Sequence, residues 1–134
     1  MGAMAKNRPS SGGAPSQRQL RVGELIRRTL SDALMRGDVH DPDLAAMSIT
    51  VGEVRVSPDL RVATAYVLPL GGREPELAVA ALARNVGELR RIVGRAVKLK
   101  ATPELRFRVD DTYDRIDRTR AMFADAKVRQ DLDE

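Results

Sequence analysis

Two helical segments separate the second and third predicted strands of this chain, and that long connection limits the folds open to it. Residues 77–84 and 88–100 are predicted to be helical, between strands at 60–68 and 105–109. A connection of this length lets the two strands pair in parallel, normally through a right-handed crossover. We therefore expect both helices to cover the same face of a sheet.

The segments before this crossover predict a β-hairpin. Residues 47–56 alternate between apolar and polar, but the phase changes at Gly52–Glu53, which indicates a β-bulge. Ser57-Pro58-Asp59 is typical of a tight turn between this strand and the next. The strand at 60–68 is apolar or small on both faces, which favours a central position in the sheet.

An amphipathic helix is predicted ahead of the hairpin, over residues 18–36. Its apolar residues recur at helical spacing, and Gly37 is a natural stop. Asp41-Pro42 then predicts a loop. The order is α-β-β-α-α-β, an α+β fold with a three-stranded mixed sheet, helices on one face and the other face open. Since aromatic residues make up 3% of the chain, the core must be aliphatic.

The regions flanking the domain predicted at 18–111 differ from it in composition. Residues 1–17 are rich in Gly, Ser and Pro and are predicted to be a disordered lead, with residues 1–3 the remnant of an expression tag. Residues 112–134 are predicted to be an acidic, weakly helical or disordered tail. The formal net charge is +4, yet residues 110–134 hold eight acids against five bases, which leaves +7 on the rest. A basic body of this kind favours a polyanionic partner.

Several classes of function lack the residues that they require. The chain has no cysteine and a single histidine, His40, so thiol chemistry and the usual metal sites are not expected. Gly71-Gly72 lacks the Lys-Ser/Thr of a phosphate-binding loop. We expect no enzyme activity, no cofactor, no metal, no small-molecule substrate and no membrane association. Without an export signal, the expected location is the cytoplasm.

The most informative feature is a basic helix that follows a break at Asn85-Val86-Gly87. In a helix over residues 88–100, Arg91, Arg95 and Lys98 would form one stripe, and the helix start would present unpaired N–H groups. Phosphate groups require both cations and N–H donors, although the same pattern also suits a solvated polar face. The predicted RNA contacts are Arg84, Asn85, Val86, Gly87, Arg90, Arg91, Arg95, Lys98 and Lys100. Secondary contacts are predicted at Arg27, Arg28, Arg106 and Arg108.

Three segments resemble the ribosome-binding factor A family of bacterial small-subunit maturation factors. The first is VRVSPDLRVA at 54–63, which spans the first strand, the turn and the second strand. The second is RAVKLKATPELRF at 95–107, which resembles the passage from helix to third strand. The third is Asp110-Asp111, where the third strand ends. The resemblance covers about residues 18–111.

The resemblance implies a type II KH-like fold and a monomer that binds the 30S subunit and its 16S rRNA during late maturation and rRNA processing. It also implies a role in cold adaptation. The family carries an Ala-x-Gly kink, and the matching positions here are Asn85-Val86-Gly87, so that Asn stands in place of Ala.

Two other interpretations of the residues stay open. Ala83 and Gly87 have the four-residue offset of some helix-turn-helix DNA readers, although the first helix would be short. Alternatively, the open face of the sheet could make the domain a protein adaptor. Competition between duplex DNA and structured RNA, and the salt dependence of binding, would separate these interpretations from RNA binding.

Overall fold

The computed structural model describes residues 14–111, which form four α-helices and one three-stranded sheet. The helices are α1 (Gln17–Arg36), α2 (Pro42–Ala45), α3 (Pro75–Arg84) and α4 (Val86–Ala96). The strands are β1 (Ile49–Val56), β2 (Val62–Pro69) and β3 (Glu104–Val109), with a short 3-10 turn at Leu70–Gly72. The predicted C-terminal tail and most of the predicted N-terminal lead lie outside the described residues. Only residues 14–17 of the lead are described, and Gln17 begins α1. None of the described helices is long and apolar enough to cross a membrane.

Helix α1 has clear signals at both ends. Ser16 and Gln19 form a reciprocal capping box at its start, and Gly37 ends it in the left-handed conformation with φ 71°. The buried residues of α1 follow the predicted apolar stripe and include Val22, Ile26 and Leu30. The predicted helix and its stop are therefore confirmed.

The sheet has the order β1-β2-β3, with β1 antiparallel and β3 parallel to the central strand β2. The register shifts between Val51 and Glu53, which confirms the predicted bulge. Strand β2 begins at Val62 rather than at residue 60, because Leu60 has a positive φ of 62° within the turn. The Ser57 hydroxyl donates to Asp59 Oδ1 at 2.7 Å and fixes that turn.

The core lies between the helices and one face of the sheet. Alternate residues of β2 are buried there, and the intervening ones are partly exposed on the other face. Within residues 14–111 the buried apolar side chains include many alanines and no aromatic residue, as the composition predicted. Small side chains let the helices approach the strands closely. At Gly23 in α1, an added Cβ would lie 2.6 Å from the carbonyl oxygen of Val54 in β1.

Other predicted boundaries are wrong as well. Helix α4 begins at Val86, so Val86 and Gly87 of the predicted break lie inside the helix. Asp41-Pro42 begins the short helix α2 and not a loop, with Asp41 as its N-cap and Pro42 in its first turn. Helix α4 ends at Ala96, four residues before the predicted end, because Val97 is extended and buried. The chain then folds back along the helix: a Cβ on Gly94 would lie 2.8 Å from Thr102 Oγ1.

Candidate nucleic-acid interface

The break between the two crossover helices is a single residue, Asn85, with φ −103° and ψ 20°. Its N–H donates a hydrogen bond to Ala81 O at the end of α3, and its carbonyl accepts the first hydrogen bond of α4, from the N–H of Leu89. The chain therefore passes from one helix to the next without a loop. As at any helix start, the first N–H groups of α4 have no acceptor within that helix.

A carboxylate from α2 fixes this junction. The amide of Asn85 donates to Asp41 Oδ2 at 2.8 Å, and the guanidinium of Arg84 donates to both Asp41 oxygens at 2.9–3.1 Å and to Asp43 at 3.1 Å. The Asp41 side chain is only 8% exposed. The hydrogen bonds from Asn85 and Arg84 lower the pKa of Asp41 to about 2. Arg84 and Asn85 therefore hold the junction in place.

The next two arginines of the predicted contact set also have partners within the protein. Arg90 donates to the carbonyl of Pro103 at 3.1 Å and to that of Thr102 at 2.9 Å, so it fixes the segment that leads into β3. Arg91 forms an ion pair with Glu88 one turn earlier in the same helix. Both side chains remain at the surface, but part of their hydrogen-bonding capacity is already used.

Six cations gather at the end of the sheet where the β1–β2 turn lies. The Gln19 side chain donates to Val56 O at 2.9 Å and places the start of α1 there, while Glu104 N donates to Arg61 O at 2.8 Å and places the start of β3 there. The segment after α4 leads to the same point. We call this group the basic end: Arg18, Arg21, Arg61, Arg95, Lys98 and Lys100.

Two acids lie near the basic end: Asp59 of the β1–β2 turn, whose pKa is lowered mainly by the hydrogen bond from Ser57 and also by Arg61, and Glu104, which pairs with Arg106. Every ion pair found within residues 14–111 involves other cations, so none of the six is paired with a carboxylate there. All six side chains are exposed. Lys98 and Lys100 lie beyond the end of α4, so the predicted helical stripe stops at Arg95, and the two lysines extend it along the following segment.

Val86 and Gly87 have different roles at the start of α4. Val86 is half-buried and packs against the core, whereas Gly87 is exposed. Gly87 has no positive φ, and a Cβ there would meet no atom of the described residues within 4 Å. Neither backbone conformation nor internal packing explains a glycine at this position.

The predicted secondary contacts lie on two separate surfaces. Arg27 and Arg28 both bond to Glu24 on α1, and the hydrogen bond from Arg27 is the main cause that lowers the pKa of Glu24 to about 2. Arg106 and Arg108 project from β3 on the face of the sheet away from the helices. That face is therefore distinct from the exposed side of α4.

Comparison with known proteins assigns this arrangement to a family. The sequence model of ribosome-binding factor A matches residues 18–123. Ribosome-binding factor A of Ruegeria pomeroyi is 68% identical over 131 residues, which are 98% of this chain and 100% of the relative. This chain belongs to the ribosome-binding factor A family.

Solved structures of the ribosome-binding factor A family share the fold. The crystal structure from Thermus thermophilus is 30% identical, with a TM-score of 0.58 over 68% of this chain and 94% of that one. A homology model of the Thermus thermophilus protein, fitted into a cryo-EM map of a complex with the 30S subunit, is also 30% identical, with a TM-score of 0.52 over 64% of this chain and 88% of that one. The KH-like α+β fold implied by the resemblance is thereby confirmed.

Membership of the ribosome-binding factor A family clarifies the kink. Where the resemblance implied Ala, this chain has Asn85, whose amide bonds to Asp41 and also to Ala81 O at 2.8 Å. The substitution thus adds an anchor between the kink and α2. A helix-turn-helix has a turn of about three to four residues. The one-residue junction here is shorter, so the geometry gives the DNA-reading alternative no support.

The sequence predictions omitted three cations of the basic end, which are Arg18, Arg21 and Arg61. The signal for them was weak but present. An α1 that packs antiparallel to β1 must begin near the β1–β2 turn, and both Arg18 and Arg21 lie in its first turns. Asp41 was also missed, because its partners Arg84 and Asn85 are more than 40 residues away in sequence.

Proposed function

We propose that this protein binds the small (30S) ribosomal subunit through its 16S rRNA during late maturation, and that it holds or reshapes an immature rRNA helix without covalent chemistry. Membership of the ribosome-binding factor A family supports this proposal. So does the Thermus thermophilus relative, which was fitted into the map of a 30S complex. The proposal extends to assistance in rRNA processing, a cytoplasmic location, a role in cold adaptation and action as a monomer.

The basic end is the observation that carries the proposal. Unpaired arginine and lysine side chains can bind phosphate without first breaking an internal ion pair, and binding releases the counterions of the RNA. Arg95 at the end of α4 and Lys98 and Lys100 just beyond it join cations from α1 and the β1–β2 turn. The cations therefore come from elements distant in sequence, as expected of a surface that follows a folded RNA backbone.

The start of α4 adds a second element to the proposed interface. Gly87 leaves the surface there without a side chain, so an RNA backbone could approach the first N–H groups of the helix. The nearby Glu88 is partly neutralised by its ion pair with Arg91. In this proposal Arg84 and Asn85 act indirectly, since they hold the junction against Asp41 while the exposed face of α4 contacts RNA.

The test compares two triple variants that remove the same charge. Arg95→Ala, Lys98→Ala and Lys100→Ala together remove half of the basic end. The matched control, Arg28→Ala, Arg36→Ala and Arg73→Ala, removes three exposed cations elsewhere. Binding of each full-length protein to purified immature small subunits would be measured by sedimentation over a range of salt concentrations. We expect the first variant to lose roughly tenfold or more in affinity and its salt slope to fall by about 0.7–0.9 per lost contact.

Equal losses in the two variants would contradict the assignment of the site, because they would show that only net charge matters. Sucrose-gradient sedimentation of cell extract tests the function itself. We expect the protein to migrate with free small subunits and not with large subunits or translating ribosomes. Residence only at the top of the gradient, at low as well as moderate salt, would overturn the proposal.

A further inference from the structure

The face of the sheet away from the helices has a tyrosine at its centre with arginines around it. On the central strand β2, Thr64 and Tyr66 point to this face. The register places Arg55 and Arg106 on either side of Thr64, and Glu53 and Arg108 on either side of Tyr66. Tyr66 therefore has three arginines and one glutamate as cross-strand neighbours, directly opposite or diagonal.

Two kinds of contact occur on this face: a guanidinium group beside an aromatic ring, and ion pairs at the surface. The guanidinium of Arg55 lies 5.2 Å from the centre of the Tyr66 ring. Arg55 also bonds to Glu53 at 2.8 Å, and Arg106 bonds to Glu104 at 2.7 Å. All four side chains of these pairs are at least half exposed, and such surface pairs contribute little and exchange readily. Arg108 has no carboxylate partner within the described part of the chain.

We infer that this open face is a second RNA-binding surface, which takes a short single-stranded segment. One base stacks on the flat surface formed by Tyr66 and the Arg55 guanidinium, while Arg106 and Arg108 contact the flanking phosphates. Aromatic rings and guanidinium planes on a sheet are common platforms for unpaired bases. This inference rests on the proposed function, because it adds a single-stranded site to a protein proposed to bind rRNA.

Two features favour single-stranded RNA over other partners. The centre of the face is charged and aromatic, and the apolar side chains of the β2 row, Val62 and Leu68, lie at its two ends. As far as residues 14–111 form it, this face therefore lacks the central apolar cluster that typifies the core of a protein interface. A flat sheet also presents no helix or ridge to enter the groove of a duplex, whereas unpaired bases can lie flat against it.

The position of the face separates it from the basic end. The side chains of α4 lie on the helical side of the sheet, and Tyr66 lies on the opposite side. A single RNA strand on the open face and a folded rRNA element at the basic end would not compete for the same residues. Each surface can therefore be removed without damage to the other.

The test measures binding of the full-length protein to an unstructured RNA of about ten nucleotides. Tyr66→Val keeps a β-branched side chain in the central strand but removes the ring. We expect it to weaken binding by about five- to a hundredfold, whereas Tyr66→Phe should retain most of the affinity because the stacking surface remains. Arg108→Gln should lower the salt slope by about 0.7. Arg36→Ala combined with Arg73→Ala, which removes two exposed cations that belong to neither surface, should leave the affinity for this short RNA nearly unchanged.

Unchanged affinity of Tyr66→Val, or a loss in Tyr66→Phe as large as in Tyr66→Val, would overturn the inference. If Tyr66→Val does not fold, amide chemical shifts of the wild-type protein on titration with the same RNA decide the matter. Shifts centred on β2 and β3 would support the inference, and shifts confined to the basic end would overturn it. Neither result decides the proposed function, which fails only if the protein does not bind small subunits.

Discussion

Helices α1 and α4 pack against each other, yet they use the same types of residue for different purposes. Gly23 of α1 is buried against the backbone of β1, while Gly87 of α4 is exposed, and a Cβ there would have no atom of residues 14–111 within 4 Å. Two arginines in the middle of α1 share Glu24 as a partner, while Arg95 at the end of α4 has no carboxylate partner among the residues described. The comparison indicates that the middle of α1 serves the fold, whereas α4 leaves exposed the glycine and the arginine that we propose as part of the RNA interface.

Gly23→Ala should have the largest effect and should be destabilising. Alanine in a helix interior normally adds up to about 1 kcal/mol relative to glycine. Here the new methyl group would collide with the carbonyl oxygen of Val54, so α1 would have to move away from β1. Overpacking of this kind outweighs the gain, and we expect a net loss of about 1–3 kcal/mol in the free energy of unfolding, measured with urea. An increase in stability would show that the helix–strand contact is loose.

Asp41→Asn tests whether the kink depends on the anchor from α2. Asparagine retains the N-cap of α2 but removes the charge that Arg84 and Asn85 share. We expect the melting temperature at neutral pH to fall by roughly 5 °C, the shift that a loss of about one charged hydrogen bond produces in a small domain. Affinity for small subunits should fall as well, because the exposed face of α4 loses its fixed position. A variant with unchanged melting temperature would mean that the anchor is dispensable.

The difference in melting temperature between the wild type and Asp41→Asn should depend on pH. The pKa of Asp41 is about 2 when folded, below its ordinary value of 3.8. A depressed carboxyl pKa contributes stability that is fully present above the unfolded pKa and is lost as the pH falls through the folded one. The difference in melting temperature between wild type and Asp41→Asn should therefore be constant above about pH 5 and shrink as the pH falls toward 2. If the difference in melting temperature stayed constant over that range, the loss of stability in Asp41→Asn would not come from the charge of the Asp41 carboxylate.

The sequence predicted the local elements well and the partners of the charged residues poorly. Three local features were confirmed: the apolar stripe of α1, the stop at Gly37 and the bulge after Val51. Each of them depends only on residues that are close together in the sequence. The end of α4 was missed because it depends on how the following segment folds back onto Gly94 and Arg90. Which cations remain unpaired is a tertiary property, as the bond between Arg84 and Asp41 shows.

Gly87→Ala should change stability and binding in opposite directions. Because the added methyl group would have no described atom within 4 Å and Gly87 has no positive φ, the variant should gain about 0.5 kcal/mol in the free energy of unfolding. If the glycine allows close approach of RNA, affinity for small subunits should nevertheless fall by a fewfold. Chemical denaturation and sedimentation on the same samples measure both quantities. Equal or tighter binding in a more stable protein would remove Gly87 from the interface.

The smallest effect is expected from Arg27→Ala combined with Arg28→Ala. Both guanidinium groups bond to Glu24, whose pKa of about 2 keeps it ionised at any physiological pH, so one of the two positive charges is balanced within the protein. We expect affinity for small subunits to change by less than about twofold, whereas Arg95→Ala with Lys98→Ala, an identical change in charge, should lower it by several fold. Equal losses in the two double variants would mean that the middle of α1 contacts the RNA as the end of α4 does. The contrast between the two helices would then lie in their glycines alone.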